Sequence, residues 1–379
     1  MSKKAHWVQV LLFLVFIGGF FLLNLILPDR SFSEQENRYL QQAPRFSFSE
    51  LFAGRFTAKF EKYTTDQFAG RDAWITLKAR TELAEGKKEN NDVYLCPVDA
   101  PPLDAMLIER YKAPSHGVIE SNVASLNALT ENIGVPVYFA LIPGAGEICR
   151  GILPRNAPMD SQLDVIETVY GLSKARNVDM YGALAPHAQE YIFYGTDHHW
   201  TSLGAYYGYT ALASAMGFTA RPQSDFSPVT VTESFFGTTY SSSGFSWVRP
   251  DRIERWVPQD EATSVVNYPE GQPVTSALYD DSFLEKKDKY ASFLGGNTPR
   301  VVLETGKPDK PVLLVVRDSY MDSLTPFLLE DFSEIHILDL RYYRQSLKDY
   351  AEENGIDEVL VCYSVANFST DANLFLLGY

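Results

Sequence analysis

Thr196-Asp197-His198-His199-Trp200-Thr201 packs a carboxylate, two of the chain's six histidines and an indole into six consecutive residues. A second stretch far downstream, Pro311 to Tyr320 (PVLLVVRDSY), is an apolar strand running into a turn that carries Asp318 and Ser319. Together they supply an acid, a base and a nucleophile. A serine hydroxyl attacks poorly at neutral pH until a neutral imidazole takes its proton, and that imidazole needs a carboxylate to fix its tautomer. In an extended segment alternate residues share a side, so Asp197 and His199 project together and His198 projects away. The assignment is His199 as base, Asp197 as its orienter and Ser319 as nucleophile. Residue types alone leave rivals standing: Ser319 as a helix cap, Asp318 as a second claimant for the orienting role, and His199 as a hydrogen-bonded structural histidine. A base of this kind must be neutral, so catalysis is expected to fail below roughly pH 6 to 7.

The chain resembles the DHHW protein family, related to the SGNH-like domains of the alginate O-acetylation proteins, over nearly its whole length. The likeness is carried by the DHHW tetrad Asp197 to Trp200, by RDSY at Arg317 to Tyr320 and by SLTPFL at Ser323 to Leu328. It extends to ENRYL at Glu36 to Leu40, DQFAGRDAW at Asp66 to Trp74, FLGGN at Phe293 to Asn297 and RYY at Arg341 to Tyr343. In the alginate relatives a D-x-H motif and a later serine form the triad, which implies the same roles for Asp197, His199 and Ser319. Two departures stand out. Arg317 occupies the place of the glycine in the GDS of typical SGNH enzymes, and the serine follows the Asp-His motif, so oxyanion donors cannot be copied by block order.

Candidate donors to an oxyanion are the backbone N–H of Ser319 and the side chains of Asn297 and Asn367. Trp200, Tyr342 and Tyr343 offer flat faces for sugar rings, or are core as most aromatics are. Arg317 and Arg341 suit substrate carboxylates or structural ion pairs; His198 and Tyr320 complete the substrate-contact candidates. Adjacent histidines in an extended segment diverge and no HExxH-like spacing accompanies them, so neither a metal nor a cofactor is expected. Pro143-Gly144-Ala145-Gly146 lacks both GxGxxG and a Lys-Ser/Thr pair and is no phosphate loop.

The elements that must position these residues alternate. Helical stretches are expected at Val118–Asn132, Gln162–Arg176, Leu203–Met216, after Ser319 and at Arg344–Asn354. Strands are expected at Val135–Ile142, Val178–Tyr181, Pro311–Val316, Ile335–Leu338 and Val359–Cys362, with Thr201 or Ser202 capping the helix at Leu203. This rhythm predicts an α/β fold, an SGNH-like parallel sheet flanked by helices. Ligands of such sheets bind beyond the carboxyl ends of the strands. That would gather the loops at Gly144–Glu147, Thr196–Trp200, Arg317–Tyr320, Asp339–Tyr343 and Ser364–Asn367 on one edge. Phe226 to Arg300 breaks the rhythm and is expected as a β-rich insertion or cap. Asn91 to Leu107 suggests a proline-interrupted hairpin, Thr57 to Glu85 an amphipathic helical region punctuated by Gly70 and Gly86, and Ser31 to Phe56 a tether. The expected domains are residues 1–28 (cytoplasmic tip and anchor), 29–90 (tether and helical region) and 91–379 (the SGNH-like domain with its insertion).

Trp7 to Leu27 is an uncharged run of 21 residues, enough for a transmembrane helix through about 30 Å of hydrocarbon. Lys3 and Lys4 before it favour an N-terminus left inside, and Asn24-Leu25-Ile26-Leu27 is a poor cleavage site. The reading is a retained signal anchor in the cell membrane with the remaining residues outside the cytoplasm; a cleaved signal is the alternative, and loss of the first residues by mass would decide for it. With 379 residues, 45% hydrophobic and a formal charge of −15, the chain can bury a substantial core, and its acidic field argues against nucleic acid. Cys96, Cys149 and Cys362 match no zinc or redox spacing; one disulfide is open, with Cys362 expected as a buried thiol. The function expected is acyl, notably acetyl, transfer to or hydrolysis from hydroxyls of a cell-envelope or exported polysaccharide through an acyl-enzyme on Ser319. A transferase would need a multispan membrane acyltransferase to deliver acyl groups. The competing class is a non-catalytic polysaccharide-binding or scaffold protein.

Overall fold

The computed structural model describes residues 3–100, 102–258 and 264–379. The chain divides into two compact units, residues 1–91 with 240–247, and residues 92–239 with 248–379.

In the first unit, the apolar helix α1 (Lys3–Ile26) precedes a two-strand pairing of β1 (Phe32–Ser33) with β2 (Arg38–Tyr39) and three helices, α2 (Phe48–Phe52), α3 (Arg55–Asp66) and α4 (Arg71–Ala84). Gly54 and Gly70 begin α3 and α4 in the left-handed region, at φ 75° and 69°, where a β-carbon is disfavoured. The stretch expected as a tether is therefore partly folded. Asp66 is buried and accepts both guanidinium nitrogens of Arg38, at 2.6 and 2.9 Å, and the N–H of Gln41 at 2.8 Å. The Arg38 bond, aided by Gln41, holds the Asp66 carboxyl down to about 2 against burial.

The second unit opens with the hairpin β3 (Val93–Ala100) and β4 (Leu103–Glu109). It continues through α5 (His116–Asn132), β5 (Val137–Ile142), α6 (Gln162–Leu172), β6 (Arg176–Val178) and α7 (Ser202–Met216). A hairpin of β7 (Phe226–Phe235) and β8 (Asp251–Pro258) follows, then β9 (Ser264–Asn267), β10 (Val274–Ser276) and β11 (Arg300–Glu304). The unit ends with β12 (Val312–Arg317), α8 (Tyr320–Leu324), β13 (Glu334–Leu338), α9 (Leu347–Glu353), β14 (Glu358–Ser364) and α10 (Val365–Thr370).

Eight strands form one mixed sheet in the order β10-β9-β11-β13-β12-β14-β5-β6. From β13 to β6 every pairing is parallel, with Val315 opposite Ile337 and Arg317 opposite Cys362. β11, β9 and β10 are antiparallel. The insertion is thus only half a separate element: β7 and β8 stand as their own hairpin, while β9 and β10 extend the main sheet. Val301 and Leu303 explain this, because their alternation on β11 buries one face of that strand against the core and leaves its edge free to pair.

β12 is buried on both faces, as a central parallel strand should be. Leu313 and Val315 meet Trp200, Tyr209 and Met321 on one side. Leu314 and Val316 meet the other layer, built by Leu126 and Leu129 of α5, Val165 and Val169 of α6 and Leu347 of α9. All three cysteines are buried free thiols, and burial pushes Cys96 up to about 12 and Cys149 to about 11.

Candidate active site

The Asp-His turn has almost no regular structure of its own. It is the tip of a hairpin closed by the Phe193–Trp200 bridge and by Tyr194 N–H donating to His199 O at 3.2 Å. The tip is held by Asp251 at the start of β8, whose carboxylate accepts Gly195 N–H at 2.8 Å, Thr196 N–H at 2.7 Å and Thr196 Oγ1 at 2.5 Å. Burial pushes Asp251 up to about 6 against these donors. Trp200 wedges beneath, its indole N–H donating to Tyr320 O at 2.9 Å and to Ser323 Oγ at 3.0 Å. Gly208 on α7 makes room for the ring: a β-carbon there would lie 2.7 Å from it. Thr201 Oγ1 accepts Gly204 N–H and caps α7.

The serine turn is built by the sheet. It follows β12 directly, and Asp318 locks it to the end of β14. Asp318 Oδ2 accepts Ser364 N–H at 2.8 Å, Ser364 Oγ at 2.7 Å and Asn367 Nδ2 at 2.8 Å, while Oδ1 accepts Tyr320 N–H at 3.1 Å. Asp318 therefore ties loops together, and it is Asp197 that meets His199. The turn brings Ser319 Oγ within 2.7 Å of His199 Nε2, and His199 Nδ1 lies 2.5 Å from Asp197 Oδ1.

Asp197 is nearly buried and accepts four donors: His199 Nδ1, His199 N–H at 3.0 Å, and Thr238 N–H and Oγ1 at 2.8 and 3.0 Å. Burial opposes its ionisation, but the two neighbouring imidazoles and these donors win, and its carboxyl lies far below the ordinary range. Gly237 permits that approach, since a β-carbon there would fall 2.2 Å from Asp197 Oδ2. For His199 burial wins over the pull of Asp197 and lowers the imidazole to about 4. The imidazole therefore stays neutral below the pH 6 to 7 of an ordinary histidine.

Tyr290, which residue patterns did not single out, stacks on the His199 ring with centroids 3.8 Å apart and planes 10° apart. Its hydroxyl donates to Ser319 O at 3.0 Å and lies 3.1 Å from Ser323 Oγ. The only signal near it was the FLGGN run three residues on. Asp251 and Thr238, also in the insertion, carried none.

The other candidates scatter. Trp200 has no exposed face and is core, and Tyr343 is buried too; neither can stack on a sugar, whereas Tyr342 is half exposed. Arg317 is fully buried, 3.1 Å from Asp322 and 3.9 Å from Asp339, so it cannot meet a substrate carboxylate. Burial pushes Asp322 up to about 7 despite that guanidinium. Arg341 pairs with Asp339 at 2.6 Å, and Asn297 Oδ1 accepts from both arginines at 3.1 Å, which makes it a strut of this network. Asn367 spends an amide proton on Asp318. His198 is part-exposed, its Nδ1 2.7 Å from Thr238 Oγ1, and its carbonyl accepts the Tyr320 hydroxyl.

Asp197, His198 and His199 bring ligand atoms within 4.8 Å of one another. Asp197 Oδ1 and His199 Nδ1 are already spent on each other, His199 Nε2 on Ser319 and His198 Nδ1 on Thr238. Beside the turn lies a cleft of about 130 Å³. Ile108, Arg110, Gly144, Gln162, His198 and Tyr320 are among its walls, and Ser364 marks the end of β14.

Residues 108–338, more than half of the chain, match the model of the family described as DHHW protein. No curated protein matches the chain. Among solved structures it is similar to a DHHW family protein from Eubacterium siraeum, at 25% identity and TM-score 0.66, covering 76% of this chain and 95% of that one. It is similar to PatB1 of Bacillus cereus, solved with a sulfonyl adduct, at 20% identity and TM-score 0.60, covering 75% and 98%. A more remote likeness, at 15% identity and TM-score 0.45, covering 73% and 93%, is to the O-acetyltransferase domain of Pseudomonas putida AlgJ. With its tetrad folded around a hydrogen-bonded histidine and serine, and with the match spanning most of the α/β unit, the chain belongs to the DHHW family.

Proposed function

We propose that this protein moves an acyl group, acetyl by preference, to or from hydroxyls of a cell-envelope or exported polysaccharide, from a domain held outside the cytoplasm by α1. The observation that carries this reading is the hydrogen-bonded line Asp197–His199–Ser319, with its 2.5 and 2.7 Å links. Ser319 Oγ attacks the carbonyl carbon of an acyl ester while His199 Nε2 takes its proton. Asp197 holds the proton on Nδ1 and stabilises the imidazolium. The oxyanion would meet the backbone N–H of Ser319 at the start of α8. Collapse expels the alcohol, protonated by His199, and leaves Ser319 acylated. A sugar hydroxyl or water then attacks, giving up its proton to His199 in turn, and restores the serine.

An open cleft lined in part by Asp197, His198 and Tyr320 lies beside the tetrad and would receive the acyl group. Tyr342, half exposed, keeps a face for a sugar ring. A transferase would draw acyl groups from a multispan membrane partner, because a single helix cannot carry them across. The test is release of alcohol from an activated acetyl ester by the full chain in detergent, beside Ser319→Ala and His199→Ala. Loss in both variants is expected; undiminished release in Ser319→Ala would overturn the acyl-enzyme.

A further inference from the structure

Outside the site, the least explained surface lies in the first unit. Phe46, Phe48, Phe52 and Phe60 are 58, 69, 86 and 48% exposed. Phe46, Phe48 and Phe60 are not scattered, and Phe52 lies one turn past Phe48 on α2. Phe46 meets Phe48 and Phe56 edge to ring at 5.1 and 5.3 Å, Phe56 stacks on Phe60 at 5.9 Å, and Phe60 reaches Tyr63 at 6.1 Å. Phe56, Phe60 and Tyr63 recur every three to four residues, so they line one face of α3. A contiguous exposed apolar patch of this kind marks a contact surface.

Two observations say what covers it. The first is depth. α1 has 24 residues and spans about 36 Å, little more than the roughly 30 Å of a bilayer's hydrocarbon. Phe20 lies about 9 Å below the end of α1, within the outer part of the hydrocarbon. There it stacks on Phe68 at 5.5 Å and meets Trp74 at 5.5 Å, while Asn24 Oδ1 accepts Ala69 N–H at 2.8 Å. Phe16, one turn deeper, meets Trp74 at 6.5 Å, so the α3–α4 elbow is held along the outer part of α1, with Ala69 at the interfacial end of that helix and Trp74 below it. The aromatic ladder ends at the same exit, since the Tyr63 hydroxyl donates to Asp29 at 3.1 Å, three residues past α1. The second is charge. From residue 45 to residue 63 stand Arg45, Arg55, Lys59 and Lys62 against Glu50 and Glu61, a net charge of +2 in a chain whose formal charge is −15, with Glu50 paired to Arg55 at 2.6 Å and to Lys59 at 3.3 Å. A basic, aromatic face on a strongly acidic protein complements anionic headgroups.

We propose that the aromatic face of α2 and α3 lies in the headgroup layer of the bilayer that α1 crosses, seating the first unit on anionic lipid rather than leaving it on a free tether. This rests on α1 being an anchor and is independent of the acyl chemistry.

The experiment uses the full chain in nanodiscs of anionic lipid. The native thiols are buried, so a nitroxide is placed at Phe52→Cys and, separately, at Ala58→Cys on the opposite, exposed side of α3. Power saturation then reports access to oxygen, which concentrates in lipid, and to a water-soluble nickel chelate. The expected result is oxygen access severalfold above nickel at residue 52 and the reverse at residue 58, with the contrast reduced in zwitterionic discs. Nickel access at residue 52 equal to that at 58 overturns the proposal. So does exclusion of both reagents from residue 52, which would mean that a second copy or another protein covers the face. A chain that does not co-purify with the discs would overturn the anchor reading together with this one.

Discussion

The two turns that meet at the His199–Ser319 hydrogen bond are built on opposite plans. The serine turn grows out of the sheet: β12 lies between β13 and β14, Asp318 bolts its end to Ser364, and Arg317 is sealed below with Asp322 and Asp339. The Asp-His turn is a loop propped by side chains of the insertion, with Asp251 holding Gly195 and Thr196, Thr238 holding Asp197, and Tyr290 lying flat on His199. Ser319 is therefore fixed by the same contacts that fix the fold. His199 is held by contacts that can be removed one at a time. Damage near Ser319 should appear first as lost stability, and damage around His199 first as lost alignment.

The largest effect expected from the second plan is that of Asp197→Asn. The carboxamide keeps the shape but cannot hold the proton on Nδ1, and acyl release should fall by about 10⁴-fold in a folded protein. A loss of less than tenfold would show that Asp197 is only structural. On the serine side, Arg317→Met leaves Asp322 buried without its guanidinium and Asp339 with Arg341 alone, and chemical denaturation should report a loss of about 3 to 5 kcal/mol. Unchanged stability would erase the contrast between the turns. Asp251→Ala strands two backbone N–H groups, the Thr196 hydroxyl and the Tyr191 hydroxyl, which donates to it at 2.8 Å. It should cost about 1 to 3 kcal/mol for each donor left without water, with turnover falling more than stability alone explains at temperatures where the protein stays folded.

The smallest and most diagnostic effect concerns Tyr290 and pH. In the proposed mechanism His199 takes a proton only when neutral, and burial lowers it to about 4, so activity should persist down through pH 5 and fail near 4. Tyr290→Leu removes the ring that shields the imidazole. Water then reaches His199, its pKa rises towards the ordinary 6.5 or so, and the acid limb should move up. Tyr290→Phe keeps the stack and loses only the hydroxyl bonds to Ser319 and Ser323, so turnover should drop with the acid limb in place. Identical acid limbs in wild type and Tyr290→Leu would show that the stacked ring does not tune the base.

The same contrast explains what the sequence disclosed. Parallel strands buried on both faces advertise themselves as apolar runs, so Val312–Arg317 and Glu358–Ser364 could be located, and with them the turn that carries Ser319. Asp197 and His199 were legible because the spacing of two residues is local. Their supports were not, because Asp251, Thr238 and Tyr290 lie 39 to 91 positions away in the β-rich insertion, and nothing local marks a side chain that props a distant loop. Trp200 and Arg317 show the opposite error. Both sit inside motifs, which suggested substrate contact, but an indole pinned between α7 and α8 and a guanidinium sealed with two carboxylates are core. A tetrad conserves no distinction, within a single sequence, between residues that touch substrate and residues that hold those that do. The antiparallel extension of the sheet escaped for a similar reason: Val301 and Leu303 alternate like any strand and do not reveal which edge they will join.

The most direct test of the central claim is mapping a covalent adduct. The full chain would be incubated with an activated acetyl ester or a sulfonyl fluoride, digested, and sequenced by mass spectrometry, with His199→Ala in parallel. One modified residue is expected, Ser319, labelled rapidly in wild type and barely at all in His199→Ala. Equal labelling of both proteins, or modification of other hydroxyls with Ser319 untouched, would contradict it.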